Sequence, residues 1–170
     1  MIRLAFLVCF CFGLLKGLLP LCQVQAQQGL NNLWLGGFGS GYPPPYGSVD
    51  LQFISGNLVL NTTSRDIGFR RTCANISDLD GVLLFSTNGV FVANALGDTM
   101  VNGSGLNPGS YSNQYPQGLY SSQIVLILPK PEDSNIYYLL HMTIDNSVDI
   151  YAEHLLLTTI DMSLDGGLGA

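Results

Sequence analysis

The chain has 170 residues, with six Lys and Arg against twelve Asp and Glu, for a formal net charge of −6. That balance lacks the basic footprint nucleic acid requires and argues against adhesion to anionic lipid. A Gly-rich, Lys-poor, acidic composition suits a secreted protein.

The N-terminus reads as an export signal. Arg3 supplies a small positive region, Leu4 to Cys22 is almost wholly apolar, and Val24-Gln25-Ala26 forms a small-residue cleavage site. These features mark residues 1–26 as a secretory signal peptide, with a mature chain starting at Gln27. The alternative is a membrane anchor, because Leu4–Cys22 approaches spanning length. Lys16 interrupts that run and the cleavage site follows at once, which favours cleavage and no stable membrane insertion afterwards. Leu19-Pro20-Leu21 lacks the small residue that a lipoprotein would place before Cys22.

Cleavage removes Cys9, Cys11 and Cys22 and leaves Cys73 alone, so no internal disulfide can form. Residues 27–170 must then be held by core packing. These 144 residues keep Arg65, Arg70, Arg71 and Lys130 against all twelve acids, a formal charge of −8.

Along the mature chain the apolar runs are short: Leu58–Leu60, Val82–Phe85, Val90–Leu96, Ile124–Leu128, Ile136–Met142 and Leu155–Ile160. Between them lie Ser55-Gly56-Asn57, Asn88-Gly89, Asn102-Gly103-Ser104-Gly105, Pro129-Lys130-Pro131 and Asp165-Gly166-Gly167. Strand-length runs with such punctuation predict an all-β fold. Asn88-Gly89 predicts a tight hairpin between strands Val82–Thr87 and Val90–Leu96. Ser147, Ile150, His154 and Leu157 allow a helix, but the β-branched Thr158, Thr159 and Ile160 favour a strand over His154–Asp161.

Val82–Phe85 and Ile124–Leu128 do not alternate apolar with polar residues, so both predict strands covered on two faces. With hardly any helix available, stacked blades of a β-propeller provide that cover better than a two-layer sandwich. A faint echo between residues 76–83 and 161–168 sets Asp80 and Asp165 85 positions apart, compatible with two blades. The expected fold is therefore all-β: antiparallel β-meander blades of a partial β-propeller-like domain over residues 27–170.

Three motifs carry a resemblance. The run GVLLFSTNGVFVANALGDTMVNGSGL at Gly81–Leu106 looks like G-x-L-L-F-x-T-[DN]-G-x-x-V-x-[ND] followed by a Met and N-G-x-x-L. Gln123–Leu140 looks like Q-x-x-x-I-x-P-K-P followed by an I-Y-Y strand. DMSLDGGLG at Asp161–Gly169 looks like V-D-M-x-L-x-G-G-L-G. In order, and with Leu33-Trp34-Leu35-Gly36 as an opening W-x-x-G strand, they resemble the N-terminal β-propeller-like region of secreted surface proteins of Bacteroidetes. Such proteins often carry PKD repeats and a C-terminal domain for type IX secretion or gliding motility. The resemblance covers most of residues 31–170. It implies a secreted or cell-surface location and a truncated or fragmentary chain that depends on further blades. Ser-Thr-Asn-Gly in place of the usual Tyr-Thr-Asp-Gly, and the insert-like run 111–117, depart from the pattern.

Candidate chemistry is sparse. His141 sits in an apolar strand with no second ligand at usable spacing. Asp78 and Asp80 invite a calcium reading, yet the rest of a calcium loop is missing, and a turn into the next strand is the simpler one. A glycosidase needs paired carboxylates, which sequence alone cannot select among twelve acids. No G-x-S-x-G elbow, phosphate loop or Cys/His signature appears. Sequons at Asn61, Asn75 and Asn102 matter only in a eukaryotic secretory pathway. Cys73 reads as a small buried hydrophobe. Tyr42, Tyr46, Tyr111, Tyr115 and Tyr120 lie in Gly/Pro/Ser-rich loops, where exposed rings stack on sugars or dock a partner. The expectation is thus an exported, non-enzymatic β module for adhesion, scaffolding or protein–protein contact, without a cofactor and with a protein or glycan partner. The alternative is a fragment of a propeller-type carbohydrate-active enzyme or glycan-binding protein.

Overall fold

A computed structural model describes residues 29–43, 45–144 and 151–170. The expected signal peptide at 1–26, and Ser147 and Ile150 of the helical alternative, lie outside the described residues. The described chain is all-β, with nine strands in three separate antiparallel sheets. Sheet 1 contains β1 (Leu33–Gly37), β2 (Ser48–Ile54) and β3 (Asn57–Thr63). Sheet 2 contains β4 (Ala74–Ser77), β5 (Leu83–Thr87) and β6 (Val92–Asn94). Sheet 3 contains β7 (Val125–Pro129), β8 (Ile136–Met142) and β9 (Leu155–Asp161). Each sheet is a meander in chain order. The only described α-helix is one turn, α1 (Ser110–Gln114), and a 3-10 turn at Asp165–Gly167 follows β9.

The first strands of the three meanders touch in series, β1 on β4 and β4 on β7. Sheet 2 is therefore the middle layer. Leu33 and Leu35 of β1 pack with Ile67, Phe69 and Ala93 between sheets 1 and 2. Ile76, Phe85 and Val92 pack with Ile127, Tyr137, Leu139 and Ile160 between sheets 2 and 3. Phe85 meets Tyr137 edge-on at 5.5 Å between ring centres. The lack of alternation around Leu83–Phe85 has its cause here: Leu83 packs toward sheet 1, whereas Leu84 and Phe85 pack toward sheet 3. A register shift at Ile76/Ser77 locally breaks the two-residue period.

β7, expected to be covered on two faces, is covered on only one. Ile127 is buried, but Leu126 and Leu128 are 52% and 42% exposed. Leu126 pairs with Leu140, which pairs with Leu157, so an apolar face of sheet 3 lies open to solvent. Sheet 1 has a matching open face. Trp34 pairs with Leu51 and Leu51 with Leu60, and Phe53 pairs with Leu58. Trp34 and Phe53 form an edge-to-face pair at 5.1 Å, and Trp34, Leu58 and Leu60 are exposed. Every residue of β3 is exposed.

The tight hairpin is not at Asn88-Gly89. Thr87 pairs with Val92, leaving a four-residue connection. Buried Asn88 folds this loop by accepting the Val90 and Phe91 amides on its Oδ1, while Gly89 takes φ +83°. A Cβ on Gly89 would stand 2.8 Å from Leu119 Cδ1. The two-residue turn is Ser55-Gly56, where Ile54 pairs with Asn57 and both turn residues have positive φ, 50° and 79°. The predicted strand Val90–Leu96 shortens to Val92–Asn94 because Asn94 Oδ1 accepts the Leu96 and Asp98 amides and turns the chain. Leu155–Asp161 is a strand, as the β-branched residues predict.

Candidate functional site

Four connections, 38–47, 64–73, 88–91 and 107–124, gather at one end of the three sheets. Backbone hydrogen bonds join them across sheet boundaries. The Phe69 amide donates to the Gly37 carbonyl, the Thr72 amide to Leu119, and the Leu119 amide to Asn88. Thr72 Oγ1 also donates to the Ser121 carbonyl at 2.6 Å. With the Ser40 amide donating to the Arg65 carbonyl, each of the four loops is hydrogen-bonded to at least one other.

The five sequence-selected tyrosines come together here. Tyr42 and Tyr46 flank Phe38, with ring centres 4.7 and 5.5 Å from it. Tyr111, Tyr115 and Tyr120 form a second run at 4.8 and 5.9 Å. Arg70 joins the two runs, its guanidinium carbon 5.4 Å from the Tyr42 ring centre and 5.9 Å from that of Tyr120. Arg71 lies over the Tyr120 ring at 4.4 Å. The result is one continuous aromatic and arginine ridge. Cation–π attraction at such distances contributes about 0.5–1 kcal/mol per contact at exposed sites.

The tyrosines are not equivalent. Tyr46 and Tyr120 are exposed, Tyr42 and Tyr115 are half-buried, and Tyr111 is buried. Tyr111 therefore departs from the expectation of an exposed loop ring. It sits on α1 and packs with Leu119, Ile124 and Ile144, anchoring the ridge from below. Desolvation pushes its hydroxyl pKa up, with Tyr115 adding to the rise and the Tyr120 backbone opposing it. No hydrogen bond of ordinary geometry reaches this hydroxyl. Sequence reasoning did not select Phe38, Arg70 and Arg71. The adjacent arginines were the available signal, being the only neighbouring cations in the chain.

A cleft of about 190 Å³ runs beside Tyr42 and Tyr46, lined also by Ser40, Ser48, Thr63 and Ser64. Ser40 Oγ donates to Asp66 and Ser48 Oγ to the Phe38 carbonyl. Both hydroxyls keep acceptor capacity.

The other candidate residues do not assemble a reactive centre. His141 is buried on the inner face of sheet 3, with Nε2 3.1 Å from Thr158 Oγ1, and burial lowers its pKa. Asp78 Oδ1 accepts the Asp80 and Val82 amides and closes the β4–β5 turn. Asp78 and Asp80 border a cavity of about 770 Å³ between sheets 2 and 3, with Lys130, Asp133 and Tyr137. Lys130 there pairs with Asp133 at 3.1 Å. Among the described residues no group of three or more His, Cys, Asp or Glu is placed to hold a metal ion. Cys73 corrects its sequence reading: the residue is exposed, not buried. Its thiol nonetheless donates to the Leu35 carbonyl at 3.0 Å, and desolvation pushes its pKa up to about 11 against the pull of Arg65.

No helix among the described residues is long and apolar enough to cross a membrane. Compared with protein-family models, curated proteins and solved structures, the chain matches none.

Proposed function

We propose that the chain is an exported, non-enzymatic β module of the cell surface or the secreted space, serving adhesion, scaffolding or protein–protein contact. In this reading the three meanders are blades of a propeller-like domain, and further sheets of the same kind cover its two outer faces. The observation that carries it is the contrast between the layers. The middle sheet is packed on both faces, while the outer faces of sheets 1 and 3 hold exposed Trp34, Leu58, Leu60, Leu126, Leu155 and Leu157. Contiguous apolar surface of this kind marks an interaction site on a soluble protein. Two features support the blade arrangement: the serial contact of β1, β4 and β7, and the meander order of every sheet. The resemblance to Bacteroidetes surface proteins supports the address.

Sedimentation velocity on residues 27–170 tests this reading. The expected result is concentration-dependent association that weakens when Leu60 and Leu157 are both replaced by Thr. A monomer that melts cooperatively at every concentration overturns it.

A further inference from the structure

We infer that the ridge formed by Tyr42, Arg70, Tyr120 and Arg71 is a binding site for an acidic carbohydrate, one whose sugar rings carry carboxylate or sulfate groups. This inference rests on the loop end alone and is independent of what covers the outer sheet faces. Arg65 pairs with Asp50 and Lys130 with Asp133, but among the described residues Arg70 and Arg71 form no ion pair. Arg70 Nε is buried without a hydrogen-bond partner. In a chain with twice as many acids as bases, two adjacent unneutralised guanidinium groups are a local exception to the surrounding field. The guanidinium carbons of both arginines lie within 6 Å of tyrosine ring centres, and exposed Arg71 presents N–H donors that can fork onto a carboxylate or sulfate.

The surroundings of the arginines select a sugar. Tyr46 is 56% exposed and Tyr120 39%, so each offers ring surface to the C–H face of a pyranose. The hydroxyl-lined cleft beside Tyr42 and Tyr46 offers hydrogen bonds of the kind sugar hydroxyls exchange. An acidic peptide satisfies the arginines equally well but makes less use of a cleft lined by hydroxyls and aromatic rings. The hydrogen bonds that link the four loops are present without a ligand, and pre-formed contacts of this kind lower the ordering cost of binding.

The test titrates the fluorescently labelled full chain, at nanomolar concentration, with polygalacturonate, dextran sulfate, neutral dextran and poly-glutamate. Binding to polygalacturonate or to dextran sulfate supports the inference, and the stronger of the two identifies the anion. Exposed Arg71→Ala weakens that binding about tenfold, the loss of one charge-assisted fork. Arg71→Lys, which keeps the charge but not the fork, falls between, and Lys130→Ala at the opposite end of the sheets leaves binding unchanged. Circular dichroism of each variant reports whether the fold is kept. Equal binding to neutral dextran, equal or tighter binding to poly-glutamate, no binding at all, or an Arg71→Ala protein that folds and binds normally each overturns the inference.

Discussion

Sheets 2 and 3 have similar apolar strands and opposite fates. In β5, Leu83 packs on sheet 1 and Phe85 on sheet 3, and Phe85 is fully buried. In β7, Ile127 is buried while its neighbours Leu126 and Leu128 face solvent. The residue types do not distinguish the two strands; position in the stack does. An apolar run states that a strand can be covered on both faces, and only a neighbouring layer makes it so.

The largest expected break of this contrast is Phe85→Ala. It removes a ring that fills the layer between sheets 2 and 3, and should cost about 3–5 kcal/mol in denaturant unfolding. In protein dilute enough to be monomeric, Leu60→Ala, on the open face of sheet 1, should change stability by about 0.5 kcal/mol or less. Equal losses at the two sites would mean that sheet 1 is covered in solution. Gly89→Ala should come next. It places a Cβ at positive φ and within 2.8 Å of Leu119, and should cost about 1–3 kcal/mol by the same measurement. The loss would localise to the loop end, so hydrogen exchange should accelerate at Leu119 and Thr72 before it does in β8.

The smallest effect concerns pH. Burial holds the His141 pKa below its ordinary value of 6.5, so the unfolded chain binds the proton more readily than the folded one. The stability present above that value is lost as the pH falls from it through the lower folded value. The melting temperature should therefore fall as the pH is lowered through about 6.5 and below, and His141→Phe should flatten that fall.

Much of the fold was legible because turn chemistry is local. The runs at 58–60, 136–142 and 155–160 all lie within observed strands. β2 and β4 were not legible as apolar runs: Asp50 and Gln52 interrupt β2, and Asn75 interrupts β4. Asp50 is tied to Arg65, and Asn75 bridges to Leu33 and Leu35 of β1, so both polar residues are explained only by partners distant in sequence. At the ridge, nothing local in the sequence revealed that Arg70 would lie between Tyr42 and Tyr120.

Among the described residues every pairing between named strands joins neighbours in sequence, which has a consequence for the order of assembly. Local contacts form quickly, so each meander can close as soon as its own residues are free of the ribosome or a translocation channel. Sheet 1 comes first and holds Leu33 and Leu35 ready until Ile67, Phe69 and Ala93 follow. The ridge comes later. Tyr111, Tyr115 and Tyr120 all follow residue 107 in the chain, so a nascent chain halted before that residue contains two complete meanders and only the first half of the ridge.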